Sequence, residues 1–128
     1  MKLNGKIQII HVWSRPELIG DPDVIRKMLE AVVSAIHMTP HEGVKIQFYP
    51  TPELGFTAKV SVLQPFDAIQ HLYESYIIYD NWIELGYANI IINSCKDFNS
   101  LAALDVIMKH LPPGRYRLED AVYYDGEH

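Results

Sequence analysis

The stretch Glu74-Ser75-Tyr76-Ile77-Ile78-Tyr79-Asp80-Asn81-Trp82-Ile83-Glu84-Leu85-Gly86-Tyr87-Ala88 decides how the rest of the chain folds. Residues 76–82 and 87–93 are dense in isoleucine and aromatic side chains, the composition of strands. Glu84-Leu85-Gly86 between them is a tight turn, so the two strands form an antiparallel hairpin. An acidic residue and a serine head the first strand, and the Trp-x-Glu of Trp82-Ile83-Glu84 closes it.

Working outward, residues 6–13 are a β-branched, apolar run and predict a buried strand. Asp21-Pro22-Asp23 then supplies helix-start signals: an acidic cap, a proline tolerated in the first turn, and negative charge at the positive end of the dipole. Met28, Leu29, Val32, Val33 and Ile36 recur at helical spacing, which predicts a helix ending near Met38, before Thr39-Pro40. Strands are expected at 44–49 and 56–63, and about two turns of helix at 66–73 after Pro65. Asn99 is placed to cap a second helix whose apolar face carries Leu101, Leu104, Ile107, Met108 and Leu111. Pro112-Pro113-Gly114 stops it, and residues 115–124 form a last strand.

The expected order is β-α-β-β-β-β-α-β, an α/β (α+β) two-layer sandwich in one domain, residues 1–128. A largely antiparallel sheet carries two helices on one face. The other face stays bare in a monomer, so a homodimer burying it is expected.

Bulk properties narrow the function classes. The chain has 128 residues, 48% hydrophobic and 21% charged, the proportions of one globular domain. A formal charge of −5 argues against a nucleic-acid partner, which needs a basic face. No apolar run is long enough to span a bilayer, and no signal-peptide pattern opens the sequence. A single cysteine, Cys95, cannot form an intrachain disulfide. A cytoplasmic location without membrane contact is the expectation. His11, His37, His41, His71, His110 and His128 lack metal-ligand spacing; His37 and His41 are four apart, but Pro40 interrupts any shared helix face, so no metal site is expected.

The stretch from Glu74 to Cys95 resembles the small, prokaryotic-type S-adenosylmethionine decarboxylases. Their signature here reads roughly E-S-H-I-x-I-H-T-W-P-E-x-G-Y-A, followed by a strand ending in a cysteine, and Cys95 stands at the family's distance from the serine. The likeness extends more weakly to Gly5, the first helix, Gly55-Phe56-Thr57 and the final helix and strand. It implies a self-made cofactor: the serine hydroxyl attacks the preceding glutamate carbonyl, and elimination leaves a pyruvoyl group that acts as electron sink for decarboxylation. It further implies the substrate S-adenosylmethionine and a place in spermidine (polyamine) biosynthesis. By position, Ser75 is the pyruvoyl precursor, Glu74 the other side of the scissile bond, Cys95 a proton donor and Thr57 a hydroxyl assisting cleavage. Trp82 and Glu84 match the Trp-x-Glu whose acid contacts the substrate ribose. Phe48 or Tyr49 is the candidate for stacking on adenine.

Three departures bear on activity. Tyr76 and Asp80 stand where the signature has its two histidines, and about ten extra residues, roughly 65–72, separate Thr57 from Ser75. At reference values an aspartate is a weaker base than a histidine by about 3.5 kcal/mol, and it is shorter. A tyrosine is a poor base at neutral pH and a fair hydrogen-bond donor. Three readings stay open: a pyruvoyl-dependent lyase acting on S-adenosylmethionine, an unprocessed homologue that binds this ligand or a polyamine or regulates an active relative, and a pyruvoyl-dependent decarboxylase of another amino acid.

Overall fold

Strict alternation of burial marks the central strands and sets two unlike faces. In the computed structural model, which describes residues 4–49, 64–112 and 114–125, every second residue of Tyr87–Ser94 is buried, beginning with Ala88. Seven strands are described: β1 Asn4–Trp13, β2 Lys45–Phe48, β3 Phe66–His71, β4 Ser75–Trp82, β5 Tyr87–Ser94, β6 Arg115–Leu118 and β7 Val122–Asp125. They form one sheet in the order β2-β3-β4-β5-β1-β6, with β7 also pairing β1, and every pairing is antiparallel. The helices are α1 Pro16–Ile19, α2 Pro22–Ala35 and α3 Ser100–His110.

The inner face carries Ile10, Val12, Phe66, Ala68, Ile77, Tyr79, Ala88, Ile90 and Ile92, all fully buried. Against it lie Ile25, Met28, Leu29 and Val32 of α2 and Ala103, Leu104 and Ile107 of α3. Burying each of the larger aliphatic and phenylalanine side chains among these stabilises the fold by about 1.5–3 kcal/mol. Tyr79 and Asn81 bring polar groups into this layer, and both are partnered. The Tyr79 hydroxyl donates to the Ile19 carbonyl at 2.6 Å, and Asn81 donates to the same oxygen at 3.2 Å.

Both expected caps form. The Asp21 carboxylate accepts the Asp23 and Val24 amides, and the Asn99 side chain accepts those of Leu101 and Ala102. The first of these helices ends at Ala35, three residues short of the expectation. His37 adopts φ 57°, while Met38 N–H donates to Val33 and His37 N–H to Ser34. That paired arrangement is a Schellman end, with histidine where glycine is usual.

Four expectations change. Residues 66–71 form strand β3, not helix; Phe66, Ala68 and Gln70 are buried while Asp67, Ile69 and His71 face out, a period of two that the proline before them obscured. The C-terminal strand is two strands, broken at 119–121, with the Glu119 amide returning to the Ile9 carbonyl. A third, four-residue helix, α1, follows β1. The turn at Glu84-Leu85-Gly86 is a 3₁₀ turn, Ile83–Leu85, closed by Gly86 at φ 59°, where a Cβ would lie 2.5 Å from the Ser14 carbonyl. The strand expected at 56–63 lies outside the described residues.

Candidate active site

Ser75 is the first residue of β4 and follows a two-residue hairpin loop. His71 pairs with Tyr76, and the Leu72 amide donates to the Ser75 carbonyl at 2.9 Å, leaving only Tyr73 and Glu74 in the loop. On its other side β4 pairs with β5, placing Ser75 opposite Ser94. The ladder continues one step further: the Cys95 amide donates to the Glu74 carbonyl at 2.9 Å. Glu74, Ser75 and Cys95 therefore meet at one corner of the sheet.

The Glu74 side chain is held from outside the loop. Its Oε1 accepts the Thr39 amide at 2.9 Å, its Oε2 the Thr39 hydroxyl at 3.1 Å, and Lys96 Nζ lies 3.8 Å from Oε2. Partial burial by itself would raise the Glu74 pKa. The hydrogen bonds from Thr39 and its own amide, with the Lys96 charge, outweigh that and hold it below the ordinary carboxylate range. The Tyr124 ring lies where a Cβ on Gly5 would sit, which only glycine permits. Its hydroxyl donates to the Ser94 carbonyl at 2.8 Å, beside Cys95.

Asp80 belongs to a second cluster on the outer face. It lies opposite Asp67 of β3, and the Tyr49 hydroxyl reaches Asp67 and Asp80 at 3.0 Å each. Desolvation, then the hydrogen bonds to Asp67 and Asp80, push the Tyr49 phenol above its usual pKa. Ser75 and Asp80 are five positions apart on a strand, which is about 16 Å. One chain does not bring them together.

Strand register lays Gln47, Asp67, Asp80, Asn89, His11 and Arg117 in one row across the outer face. Within it the Asn89 Oδ1 atom is buried without a partner among the described residues. His11 Nε2 lies 2.5 Å from Glu119, and its Nδ1 is 2.6 Å from the Tyr87 hydroxyl. The next row is aromatic: Trp82 and Trp13 flank Tyr87, each with ring centres 5.3 Å away, and Arg115 lies over Trp13 at 4.8 Å.

Of the other expected site residues, Trp82 is 46% exposed in that aromatic row and Glu84 is exposed in the turn that follows. Tyr49 reaches Asp80, whereas Phe48 packs edge-on against Phe66 and is removed from the cluster. Thr57 lies outside the described residues. Sequence reasoning missed Thr39, Lys96 and Asp67. Lys96 directly follows the matched cysteine, a signal that could have found it; Thr39 and Asp67 had none, because a helix end and an unrecognised strand place them.

The described fold and site define a class: a two-layer α+β sandwich with a Glu-Ser bond at the head of its central hairpin. The chain belongs to the S-adenosylmethionine decarboxylase family, whose model matches residues 8–122. It is similar to the crystal structure of the adenosylmethionine decarboxylase from Aquifex aeolicus VF5. The TM-score is 0.66 and the identity 21%, over 95% of this chain and 88% of that one. No curated protein matches it. No helix among the described residues is long and apolar enough to cross a membrane.

Proposed function

We propose that this protein cleaves itself between Glu74 and Ser75 to form a pyruvoyl group, and then decarboxylates S-adenosylmethionine for polyamine synthesis in the cytoplasm. The observation that carries the reading is the 2.9 Å hydrogen bond from the Cys95 amide to the Glu74 carbonyl, on the residue before Ser75. A donor fixed on that oxygen withdraws charge from the carbon and stabilises the oxyanion that forms when a hydroxyl adds to it. Ser75 supplies the hydroxyl from the neighbouring residue, so the residues present fit the group's formation.

The steps balance within the chain and water. Ser75 Oγ adds to the Glu74 carbonyl carbon, the C–N bond breaks, and the hydroxyl proton passes to the Ser75 nitrogen. The resulting ester loses the Ser75 Hα to a base and expels the Glu74 carboxylate. Water then converts the new end to a ketone and releases ammonia. Once formed, that ketone is the electron sink for loss of CO₂ from the substrate. Cys95 returns a proton to the substrate carbon, and Trp82 and Glu84 bind the nucleoside. Asp80 is the base for elimination, and its distance of about 16 Å from Ser75 along one strand supports a working homodimer, in which it serves a second copy packed on the outer face.

A second reading rests on Asp67, Asp80 and Tyr49. Asp80, at the signature histidine's position, has a second carboxylate, Asp67, beside it on β3, and such a pair suits a basic amino acid as substrate better than a nucleoside. Denaturing mass spectrometry of the purified chain tests the shared step. Fragments of residues 1–74 and 75–128 are expected, the second with a pyruvoyl end. One intact mass after prolonged incubation refutes self-cleavage and leaves a non-catalytic binder of S-adenosylmethionine or a polyamine. If cleavage occurs, CO₂ release from S-adenosylmethionine against basic amino acids separates the two substrates.

A further inference from the structure

The loop that carries the scissile bond does not hold itself. Two-residue hairpin loops favour Asn-Gly, Asp-Gly or Gly-Xaa, because their turns need positive φ. Tyr73-Glu74 contains no such residue, and neither member adopts positive φ. The restraints come from two other segments. Thr39, just past the α2 end, accepts the Tyr73 amide on its carbonyl at 3.0 Å and gives its amide and hydroxyl to the two Glu74 oxygens. Cys95-Lys96 grips both ends of the same residue: the Cys95 amide binds the Glu74 carbonyl and the Lys96 ammonium approaches its carboxylate. Thr39 is itself fixed, since the His37 helix end precedes it and the Pro40–Leu72 bridge and the His41 amide on His71 follow.

A carboxylate held at both oxygens, with only 16% of the side chain exposed, fixes the rotation of Glu74 about its backbone. That rotation sets where the carbonyl carbon faces. We propose that Thr39 and Lys96 are positioning residues for self-cleavage: they clamp Glu74 so that its carbonyl stays on the Cys95 amide and its carbon faces Ser75 Oγ. This rests on the self-cleavage reading above. After the bond breaks, the same clamp keeps the new C-terminus docked beside Ser75.

The step affected distinguishes a clamp from general support of the fold. Freshly purified full-length wild type, T39V, T39S, K96M and K96R are followed by denaturing mass spectrometry, with and without hydroxylamine, which cuts the ester. T39V should cleave about tenfold more slowly, the effect of losing one hydrogen bond to a charged group. K96M should slow about threefold, because that pair is half exposed. T39S and K96R should restore most of the rate. Hydroxylamine should not rescue T39V or K96M, because the block precedes the ester, whereas it should rescue D80N. Circular dichroism confirms that each variant is folded. Wild-type rates in folded T39V and K96M, or hydroxylamine rescue of both, overturn the clamp while leaving self-cleavage intact. A wild type that never cleaves removes both.

Discussion

Replacing Tyr49 with phenylalanine removes one oxygen and leaves two carboxylates facing each other across β3 and β4. In the native chain that oxygen lies 3.0 Å from Asp67 Oδ2 and 3.0 Å from Asp80 Oδ1. The hydroxyl has one proton, so it serves one carboxylate at a time and separates two like charges that a ladder would otherwise oppose directly. A hydrogen bond to a charged group contributes about 1.5–3 kcal/mol, and opposed like charges cost up to about 1 kcal/mol. Tyr49 is 37% exposed, so water compensates for much of this. The expected net loss is about 1 kcal/mol at pH 7, a fall in Tm of about 3–5 °C for a domain of this size. Urea and thermal unfolding of Y49F, D67N and Y49F/D67N measure it. With Asp67 neutralised, Y49F should cost less than half as much. The pH dependence has a definite sign. A phenol raised above its ordinary pKa of about 10 gives stability that is complete below that pH and lost as pH rises through the folded value. The gap between wild type and Y49F should be flat from pH 7 to about 9.5 and shrink above about 10. Equal melting of wild type and Y49F at pH 7, or a gap that widens in alkali, refutes the bridging role.

Four further outcomes are expected. H37G should raise stability by about 0.5–1 kcal/mol in thermal melts, because glycine accepts φ 57° without a Cβ clash. G86A should lower it by about 2 kcal/mol or more, since a methyl there meets both φ 59° and the Ser14 carbonyl at 2.5 Å. E74Q should flatten the acid limb of the stability profile. The lowered Glu74 pKa gives wild type stability that is present above the unfolded value of about 4.3 and lost as pH falls through the folded one. D80H, which restores the signature's base, should speed fragment formation by about tenfold or more at neutral pH, read by mass spectrometry; slower formation would show that position 80 does not supply the base.

What could be read from the sequence followed the range of the forces involved. Caps act within three residues, so Asp21 and Asn99 announced both long helices. Strand composition and a tight turn act within a few residues, so β1, β4 and β5 were legible, as was the resemblance of Glu74, Ser75 and Cys95 to the family signature. Residues 66–73 failed because Pro65 gave a helix-start signal while β3 owes its state to pairing with β4, a constraint set by residues outside the segment. The early end of α2 failed because His37 takes the left-handed position that a glycine would have advertised. The clamp failed for the same reason at longer range. Thr39 lies 35 residues before Glu74, and nothing in a threonine after a helix says which carboxylate it will meet.

The two clusters also constrain what a single chain can do. Ser75 and Asp80 belong to one rigid strand, hydrogen-bonded on both sides, so no rotamer closes a gap of about 16 Å between them. On the proposed reading the base that Ser75 needs comes from another copy of the chain. On that reading a second copy laid face to face, with its strands running in the opposite direction, carries each Asp80 toward the opposite copy's Ser75 end. On the proposed reading, pairing and self-cleavage are therefore one event. Fragment formation should rise with protein concentration below the dimer's dissociation constant, and a first-order rate that does not change on dilution into the monomer range would separate the two.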